Sequence, residues 1–392
     1  MTPRQRASGP RAAVLDIDAL LADRATDIIV CCGSGGVGKT TTAASLALRA
    51  AEQGRRVVVL TIDPARRLAQ SMGLTELDNT PRPVTGVDTA AGGSLDAMML
   101  DMKRTFDEVV VAHSTPEKAE QILANPFYQA VSSSFAGTQE YMAMEKLGQL
   151  HQEVRTDGGT RPRWDLIVVD TPPSRSALDF LDAPKRLGSF LDGRFIRLIS
   201  APAKVGGRAS LKVFNVGLGI VSSTLSRVLG GDMLRDVQTF ITALDTMFGG
   251  FRERADVTYA LLSRRSTAFL VVAAPERDAL REASYFIARL EDERMPLSGL
   301  VLNRVTPVPV AGLTASRARA AAEERAAAGD RLTAGLLTLH ADLASLAERQ
   351  RRLARRFVVG HPGTPVAEVP ALAEDVHDID GLRRVGDALA AG

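Results

Sequence analysis

Residues 27–63 form one continuous pattern of strand, glycine-rich loop, helix and strand. The apolar run DIIVCC leads into GSGGVG, the helix-type segment KTTTAASLALRAAEQG ends at Gly54, and a second apolar run, RRVVVLTID, follows at once. Two strands joined by one helix of this length form a right-handed unit whose strands are parallel. The pattern therefore predicts an α/β fold built on a mostly parallel sheet.

Other segments extend this fold. The segment RWDLIVVD at 163–170 ends in an apolar run that predicts a strand buried on both faces. Further strands are expected at the end of 259–276, in 297–305 and in 357–372. Residues 318–357 predict one or two long helices, and a last helix is expected near 380–390. The methionine-rich segment 95–150 and the glycine-interrupted segment 184–256 are helical in pattern. We expect a flexible tail at 1–13, a single domain at 14–392, and a helical subdomain formed mainly from about 95–150 and 184–256.

The composition is that of a soluble globular protein. The 392 residues are 45% hydrophobic and 24% charged, with a net charge of +2, so charge gives no reason to expect nucleic acid as a partner. The basic start lacks the apolar block of a secretory signal, and the apolar stretch at 213–226 is shorter than the roughly 18 residues that cross a bilayer. We expect a cytoplasmic protein, or one peripheral at the membrane through a partner.

The two cysteines, Cys31 and Cys32, are adjacent in a predicted strand. Neighbouring residues of a strand point to opposite faces, which disfavours a shared metal ion or a disulfide between them. We interpret both as small buried side chains in a reducing compartment.

The loop between the first strand and helix matches the phosphate-loop pattern, in which two glycines separated by four residues precede lysine and threonine. Glycines let backbone N–H groups surround an anion at a helix start, where the helix adds its positive end. We expect Lys39 to contact the β- and γ-phosphates of a nucleotide and Thr40 to ligate Mg²⁺. The predicted nucleotide contacts in this loop are Gly33, Ser34, Gly35, Gly36, Val37, Gly38, Lys39, Thr40 and Thr41.

Two aspartates end apolar strands, Asp63 in VVVLTID and Asp170 in DLIVVD. Ligands of open α/β sheets bind at the carboxyl ends of parallel strands, so both carboxylates are placed for chemistry. We expect Asp170 to hold Mg²⁺, directly or through water, and Asp63 to orient or deprotonate the attacking water. The alternative for either residue is a structural role as a helix N-cap.

These motifs resemble the arsenite-efflux and guided-entry (tail-anchored protein targeting) ATPase family. The similarity begins in GSGGVGKTTTAASLALRAAEQGRRVVVLTIDPARRL and continues through DTPPSRSALDFL, VVAAPERDALREASYFIARL, VLNRV and VAEVPALAEDVHDIDGL. It implies an ATP- and Mg²⁺-dependent dimeric switch, with a seven- or eight-stranded, mostly parallel sheet, helices on both faces and an inserted helical subdomain.

The resemblance also assigns residues. Asp63 matches the family's presumed activator of water, and Asp170 matches the aspartate of the second switch. Asn303 matches the asparagine that contacts the adenine edge, and the loop around Pro370 matches the segment that closes over the base.

The chain departs from the family pattern at Ser34, where relatives have a lysine that reaches the partner's nucleotide across a dimer interface. A serine cannot supply that charge. We therefore expect a heterodimer with a homologous, lysine-bearing subunit rather than a homodimer, in which both sites would lack the lysine.

The two switches differ as well: Arg66 and Arg67 replace His and Asn in the first, and 175–177 is Arg-Ser-Ala in place of Gly-His-Thr in the second. These changes favour a second hypothesis, a nucleotide-binding regulatory subunit with little activity of its own.

The cargo is less constrained. The absence of cysteine from the helical segments argues against a metalloid-efflux subunit, no arsenite or zinc site is expected, and the inserted helices are unexplained in a partition-type ATPase. The methionines at 98–102 and 142–144, with apolar stretches at 213–226 and 240–251, line a groove for a hydrophobic protein or membrane-protein client, or else pack the subdomain's own core. The basic run ERQRRLARRF is interpreted as a solvated helix face.

Overall fold

The structure of the chain is a computed structural model that describes residues 13–62, 67–74, 77–126, 128–129, 138–153, 162–172 and 253–391. Internal packing divides the chain into two compact units. The first comprises Met1–Met99, Glu153–Leu178 and Leu262–Gly392, and the second comprises Leu100–Gln152 and Asp179–Leu261.

The first unit contains an eight-stranded sheet. Its strands are β1 (Ile28–Cys32), β2 (Arg56–Thr61), β3 (Arg82–Pro83), β4 (Ser94–Met99), β5 (Leu166–Asp170), β6 (Thr267–Ala273), β7 (Leu297–Val305) and β8 (Val366–Pro370). Their spatial order is β3-β4-β2-β5-β1-β6-β7-β8, and every pair is parallel except β3 with β4. The prediction of an α/β fold with a mostly parallel sheet is confirmed.

Ten helices with defined bounds lie before, between and after these strands in the described segments. They are α1 (Ile17–Ala22), α2 (Lys39–Glu52), α3 (Arg67–Ser71), α4 (Met102–Ala112), α5 (Pro116–Leu123), α6 (Thr138–Gln152), α7 (Arg277–Asp292), α8 (Ala315–Ala327), α9 (Arg331–Gly360) and α10 (Ile379–Ala391). Residues 253–262 are helical as well. Among these helices, none is long and apolar enough to cross a bilayer.

Two boundaries differ from the sequence prediction. Residues 95–99 were expected to be helical, but Ser94–Met99 is strand β4, which pairs in parallel with β2 and buries Leu95, Ala97 and Met98. The prediction was wrong there because partners in the sheet, rather than local propensity, decide the conformation of a short apolar run. The strand expected in 357–372 is limited to Val366–Pro370, since α9 continues to Gly360.

The central strands of the sheet are buried on both faces. All five residues of β1 are buried, as are all five of β5 and all seven of β6. The register aligns Cys31 of β1 with Asp170 of β5, and Thr61 of β2 with the same aspartate. The carboxyl ends of these strands therefore meet at one edge of the sheet, which the loop after β1 extends.

The second unit is helical in its described part. Its helix α6 buries Met142 and Met144, and α4 buries Val109 and Val110. These two methionines therefore pack inside the protein, whereas Met98 belongs to the sheet of the first unit. The apolar stretches expected to complete a groove, 213–226 and 240–251, lie outside the described residues.

Candidate functional site

A cavity of about 720 Å³ opens at the carboxyl edge of the sheet in the first unit. Most of its walls come from three parts of the chain: the loop after β1 with the start of α2, the end of β7, and the end of β8 with the segment that follows it. Ser71 of α3 and Val385 of α10 also line the cavity. Lining residues include Gly38, Lys39, Thr41, Asn303, Pro370 and His377. Five of the nine predicted nucleotide contacts of the loop line this cavity together with the two predicted base contacts, Asn303 and Pro370. The five are Gly36, Gly38, Lys39, Thr40 and Thr41, whereas Gly33, Ser34, Gly35 and Val37 are not among the lining residues.

The loop at 33–38 depends on glycine at three positions with positive φ. The values are 151° at Gly33, 75° at Gly36 and 93° at Gly38, which disfavour side chains. A Cβ at Gly33 would lie 2.1 Å from the carbonyl oxygen of Val272 on β6, and one at Gly38 would lie 2.2 Å from Nδ2 of Asn303. Gly33 and Gly38 are therefore required both by their backbone conformation and by the close approach of β6 and β7.

Lys39 is the first residue of α2 and is 5% exposed. Its Nζ donates a hydrogen bond of 2.9 Å to the carbonyl oxygen of Ser34, so the side chain folds back over the loop. The helix begins directly behind this ammonium group, with Gly38 as the N-cap. Lysine and helix start together make the loop a strongly positive environment that suits a phosphate chain.

Asp170 ends β5 and is completely buried. One of its carboxylate oxygens, Oδ2, accepts a hydrogen bond of 2.7 Å from the Thr40 hydroxyl and another of 2.9 Å from the Thr61 hydroxyl. Hydroxyl and carboxylate oxygens are the ligands that Mg²⁺ prefers, and here they lie beside the phosphate-type loop. The donor set therefore fits the predicted metal, with Thr40 and Asp170 as the protein groups that would hold it.

The end of β7 contacts the outer side of the loop. Nδ2 of Asn303 donates to the carbonyl oxygen of Val37 at 2.9 Å, and Nη1 of Arg304 donates to the carbonyl oxygen of Gly36 at 3.0 Å. The Oδ1 atom of Asn303 accepts from the backbone N–H of Arg304 at 2.9 Å. In this structure, the Asn303 amide thus holds the loop, and its contact with an adenine edge stays a prediction.

A β-bulge produces this arrangement. The pairing of β7 with β8 passes from Leu302 opposite Glu368 to Val305 opposite Pro370, which leaves one extra residue on β7. Arg304 has a φ of 60°, a left-handed conformation that costs a non-glycine residue on the order of 1 to 3 kcal/mol. Such strain is typical of functional sites, and here it turns two consecutive side chains toward the loop.

The segment after β8 forms the far wall of the cavity. Pro370 is exposed at the end of β8, and the backbone N–H of Ala371 donates to the carbonyl oxygen of Val305 at 2.9 Å. Because this bond ties the segment to the end of β7, Pro370 lies on the same edge as Asn303.

Several predicted residues lie outside the described segments. These are Asp63 and Arg66, the switch residues 175–177 and the inserted segment up to residue 252. The described strand before them ends beside the site, with Thr61 bonded to Asp170 and Ile62 buried. The role of Asp63 therefore stays a prediction from the sequence.

Both cysteines are buried beneath the loop. Burial raises the pKa of Cys31 well above its usual range, and the nearby charge of Asp170 raises it further. Burial also raises the pKa of Cys32 to about 12. Both thiols are therefore neutral at physiological pH and poorly suited to ligate a metal ion.

Sequence reasoning missed two contributors to this site, Thr61 and Arg304. Thr61 stands two residues before Asp63, and Arg304 directly follows Asn303, so adjacency to predicted residues was the available signal. No sequence motif predicts the bulge in β7 or the pairing of β2 with β5.

The sequence model that describes the anion-transporting ATPase family matches residues 26–327. Among curated relatives, the chain is 31% identical over 162 residues to the arsenical pump-driving ATPase of Acidiphilium multivorum, an alignment that covers 41% of this chain and 26% of that protein. It is 25% identical to ATPase GET3C of Arabidopsis thaliana, covering 70% and 66% of the two chains. It is 24% identical to ATPase GET3 of Podospora anserina, covering 74% and 76%. The alignments with the first two relatives thus span less than two thirds of those proteins.

Proposed function

This chain belongs to the anion-transporting ATPase family, and we propose that it binds Mg·ATP at the loop after β1 and hydrolyses it as a dimeric switch. The observation that supports this most directly is the arrangement around Lys39 and Asp170. A buried ammonium group folds over a glycine loop at a helix start, and a threonine hydroxyl bonds a buried carboxylate beside it.

The chemistry follows from these groups. When nucleotide binds, Lys39 exchanges the Ser34 carbonyl for phosphate oxygens, which is favourable because the buried ammonium group gains an anionic partner in place of a neutral one. Thr40 and Asp170 would hold Mg²⁺, which would supply charge stabilisation for the leaving phosphate groups. Asp63 orients the attacking water and accepts its proton, while Asn303 and Pro370 bound the base.

We further propose that the helical subdomain couples nucleotide state to a partner. In this proposal residues 14–392 are one ATPase domain, and the inserted helices bind a hydrophobic protein or membrane-protein client. The supporting observation is the separate compact unit, which includes α4, α5 and α6.

Ser34 favours a second candidate function. A serine here cannot extend a cation to a neighbouring site, so the chain fits a nucleotide-binding subunit whose activity depends on a homologous partner with a lysine. In such a heterodimer this chain's own nucleotide receives the partner's lysine. A heterodimer is our preferred assembly over a homodimer.

The purified chain tests the first proposal by its Mg²⁺-dependent ATP turnover and its equilibrium affinity for Mg·ATP. Lys39→Ala should abolish binding or weaken it severely, because the phosphates lose their main counter-charge. Lys103→Ala serves as a matched control, since Lys103 pairs with Asp107 on the surface of α4 in the other unit. Equal affinity in wild type and Lys39→Ala would overturn the nucleotide-binding proposal. If the chain alone binds Mg·ATP but does not hydrolyse it, and a lysine-bearing homologue restores turnover, the regulatory function is favoured.

A further inference from the structure

The guanidinium of Arg304 occupies a position next to the loop that lacks a lysine at residue 34. It lies 3.0 Å from the Gly36 carbonyl oxygen and lines the same cavity as Lys39 and Thr40. We propose that Arg304 is a positioning residue for phosphate, which orients the Gly36–Val37 peptide and adds, from the same chain, positive charge that Ser34 cannot supply. This inference rests on the proposed nucleotide-binding function.

The orientation follows from the geometry of the peptide group. A trans peptide is planar, with its C=O and N–H on opposite sides. Arg304 holds the carbonyl of Gly36 and Asn303 holds the carbonyl of Val37, so the N–H groups of Val37 and Gly38 both point away from β7. Two consecutive N–H groups turned to the same side form a concave site that binds anions.

Two cationic side chains contact the loop. In the described part of the loop and its surroundings, Lys39 and Arg304 each donate to a loop carbonyl, Lys39 to that of Ser34 and Arg304 to that of Gly36. An arginine on the carbonyl side of a peptide polarises that peptide, and the polarised N–H is a stronger donor to an anion. The guanidinium stays protonated at any physiological pH.

The backbone conformation at residue 304 does not favour arginine, so we attribute the arginine there to what its side chain does. A left-handed residue in a bulge is usually glycine, yet the bulge in β7 has Arg304 with a φ of 60°. Replacing it with glycine should retain the backbone, and ease its strain, while removing the guanidinium. Arg304→Gly therefore separates the function of the side chain from the conformation of the chain.

The turn before the same strand provides a matched control. Arg294 has a φ of 56° and precedes β7 at its other end, away from the loop. Like Arg304 it is exposed, so Arg294→Gly is the same chemical change at the same backbone conformation. Arg304→Lys adds a second comparison, since it keeps a cation but loses the planar fork that suits a carbonyl and a phosphate together.

The experiment measures the dissociation constants of Mg·ATP, Mg·ADP and inorganic triphosphate by calorimetry for wild type and the four variants Arg304→Gly, Arg304→Lys, Arg294→Gly and Lys39→Ala. Arg304→Gly should weaken all three ligands roughly 10- to 100-fold, the range expected for a lost hydrogen bond from a charged group. Arg304→Lys should recover part of this loss, and Arg294→Gly should bind as wild type. Unchanged thermal unfolding of Arg304→Gly would show that its fold is retained; if the variant unfolds, Arg304→Asn, which tolerates the same backbone, replaces it.

The outcomes separate this inference from the proposed function. Loss of binding in Lys39→Ala but wild-type affinity in Arg304→Gly would overturn the role of Arg304 and leave the nucleotide site standing. Weakened Mg·ATP with unchanged triphosphate would also overturn it, because the effect would then lie at the base. Wild-type affinity in Lys39→Ala would overturn the proposed function itself.

Discussion

The hydroxyl of Thr40 donates a hydrogen bond of 2.7 Å to the carboxylate of Asp170, a residue 130 positions later in the sequence. The bond joins the first turn of α2 to the end of β5. It places a hydroxyl oxygen and a fully buried carboxylate side by side at the phosphate-type loop. These are the two groups that we propose would hold Mg²⁺.

Asp170→Asn should therefore weaken the binding of Mg²⁺ at the site. The amide keeps the size of the side chain but loses its negative charge, so we expect the Mg²⁺ concentration for half-maximal ATP turnover to rise roughly 10- to 100-fold. A magnesium titration of turnover measures this. Asp342→Asn is the control, because Asp342 pairs with Arg319 at the surface. An unchanged magnesium midpoint in Asp170→Asn would argue against metal binding there.

Gly33→Ala should disrupt the loop. Its new Cβ would lie 2.1 Å from the Val272 carbonyl oxygen, and its φ of 151° disfavours alanine, so we expect a loss of about 2 kcal/mol in the free energy of unfolding together with lost nucleotide binding. Urea denaturation measures the first effect. Gly335→Ala in α9 is the counterpart with open space around its Cβ, and it should be neutral or stabilise by up to about 1 kcal/mol. If both variants unfold at the wild-type midpoint, β6 does not confine the loop.

Asp63→Asn should leave Mg·ATP affinity nearly unchanged and lower the turnover rate by orders of magnitude. The motivation is its position, two residues after Thr61, whose hydroxyl bonds Asp170, at a strand end but outside the phosphate loop. Single-turnover kinetics and equilibrium binding distinguish the two effects. An equal loss of binding and turnover would instead make Asp63 a structural or metal-holding residue.

Ser34 predicts an asymmetric assembly. Losing a positioned cation near developing phosphoryl charge can lower the rate of ATP hydrolysis roughly 10³-fold. In a heterodimer with a lysine-bearing subunit, only one of the two nucleotide sites has this loss. We expect the chain alone to hydrolyse ATP slowly, and a complex with a homologous lysine-bearing subunit to be faster, as measured by mass and turnover of each preparation. Ser34→Lys should raise the slow activity of the chain alone. A stable homodimer with full activity and no partner would contradict the heterodimer.

The buried thiols predict a specific dependence of stability on pH. The pKa of Cys32 is about 12 in the folded chain, against 9.0 for an ordinary thiol, so the unfolded chain releases this proton first as the pH rises. The stabilisation is complete below about pH 9 and is lost between pH 9 and 12, by about 1.4 kcal/mol per pH unit for one thiol. Urea midpoints between pH 8.5 and 10.5 should fall more steeply for wild type than for the double variant Cys31→Ala, Cys32→Ala. Equal slopes, or rapid alkylation of the folded chain at pH 9, would show that the thiols are accessible.

The sequence by itself determined the local parts of this protein. The strand, glycine loop and helix from residue 28 to residue 52 were predicted correctly, as was the strand that ends at Asp170. These predictions succeed because hydrophobic periodicity and glycine conformation act within a few residues, so the pattern and the structure have the same physical cause.

Tertiary structure alone decided the rest. Strand β4 exists because β2 offers it hydrogen bonds, although its own residues have a helical pattern. The bulge that turns Asn303 and Arg304 onto the loop arises in the pairing of β7 with β8, and Gly33 is required because a carbonyl of β6 lies against it. Each of these depends on a contact between residues far apart in sequence, and such contacts form only when the strands have been ordered in a common sheet.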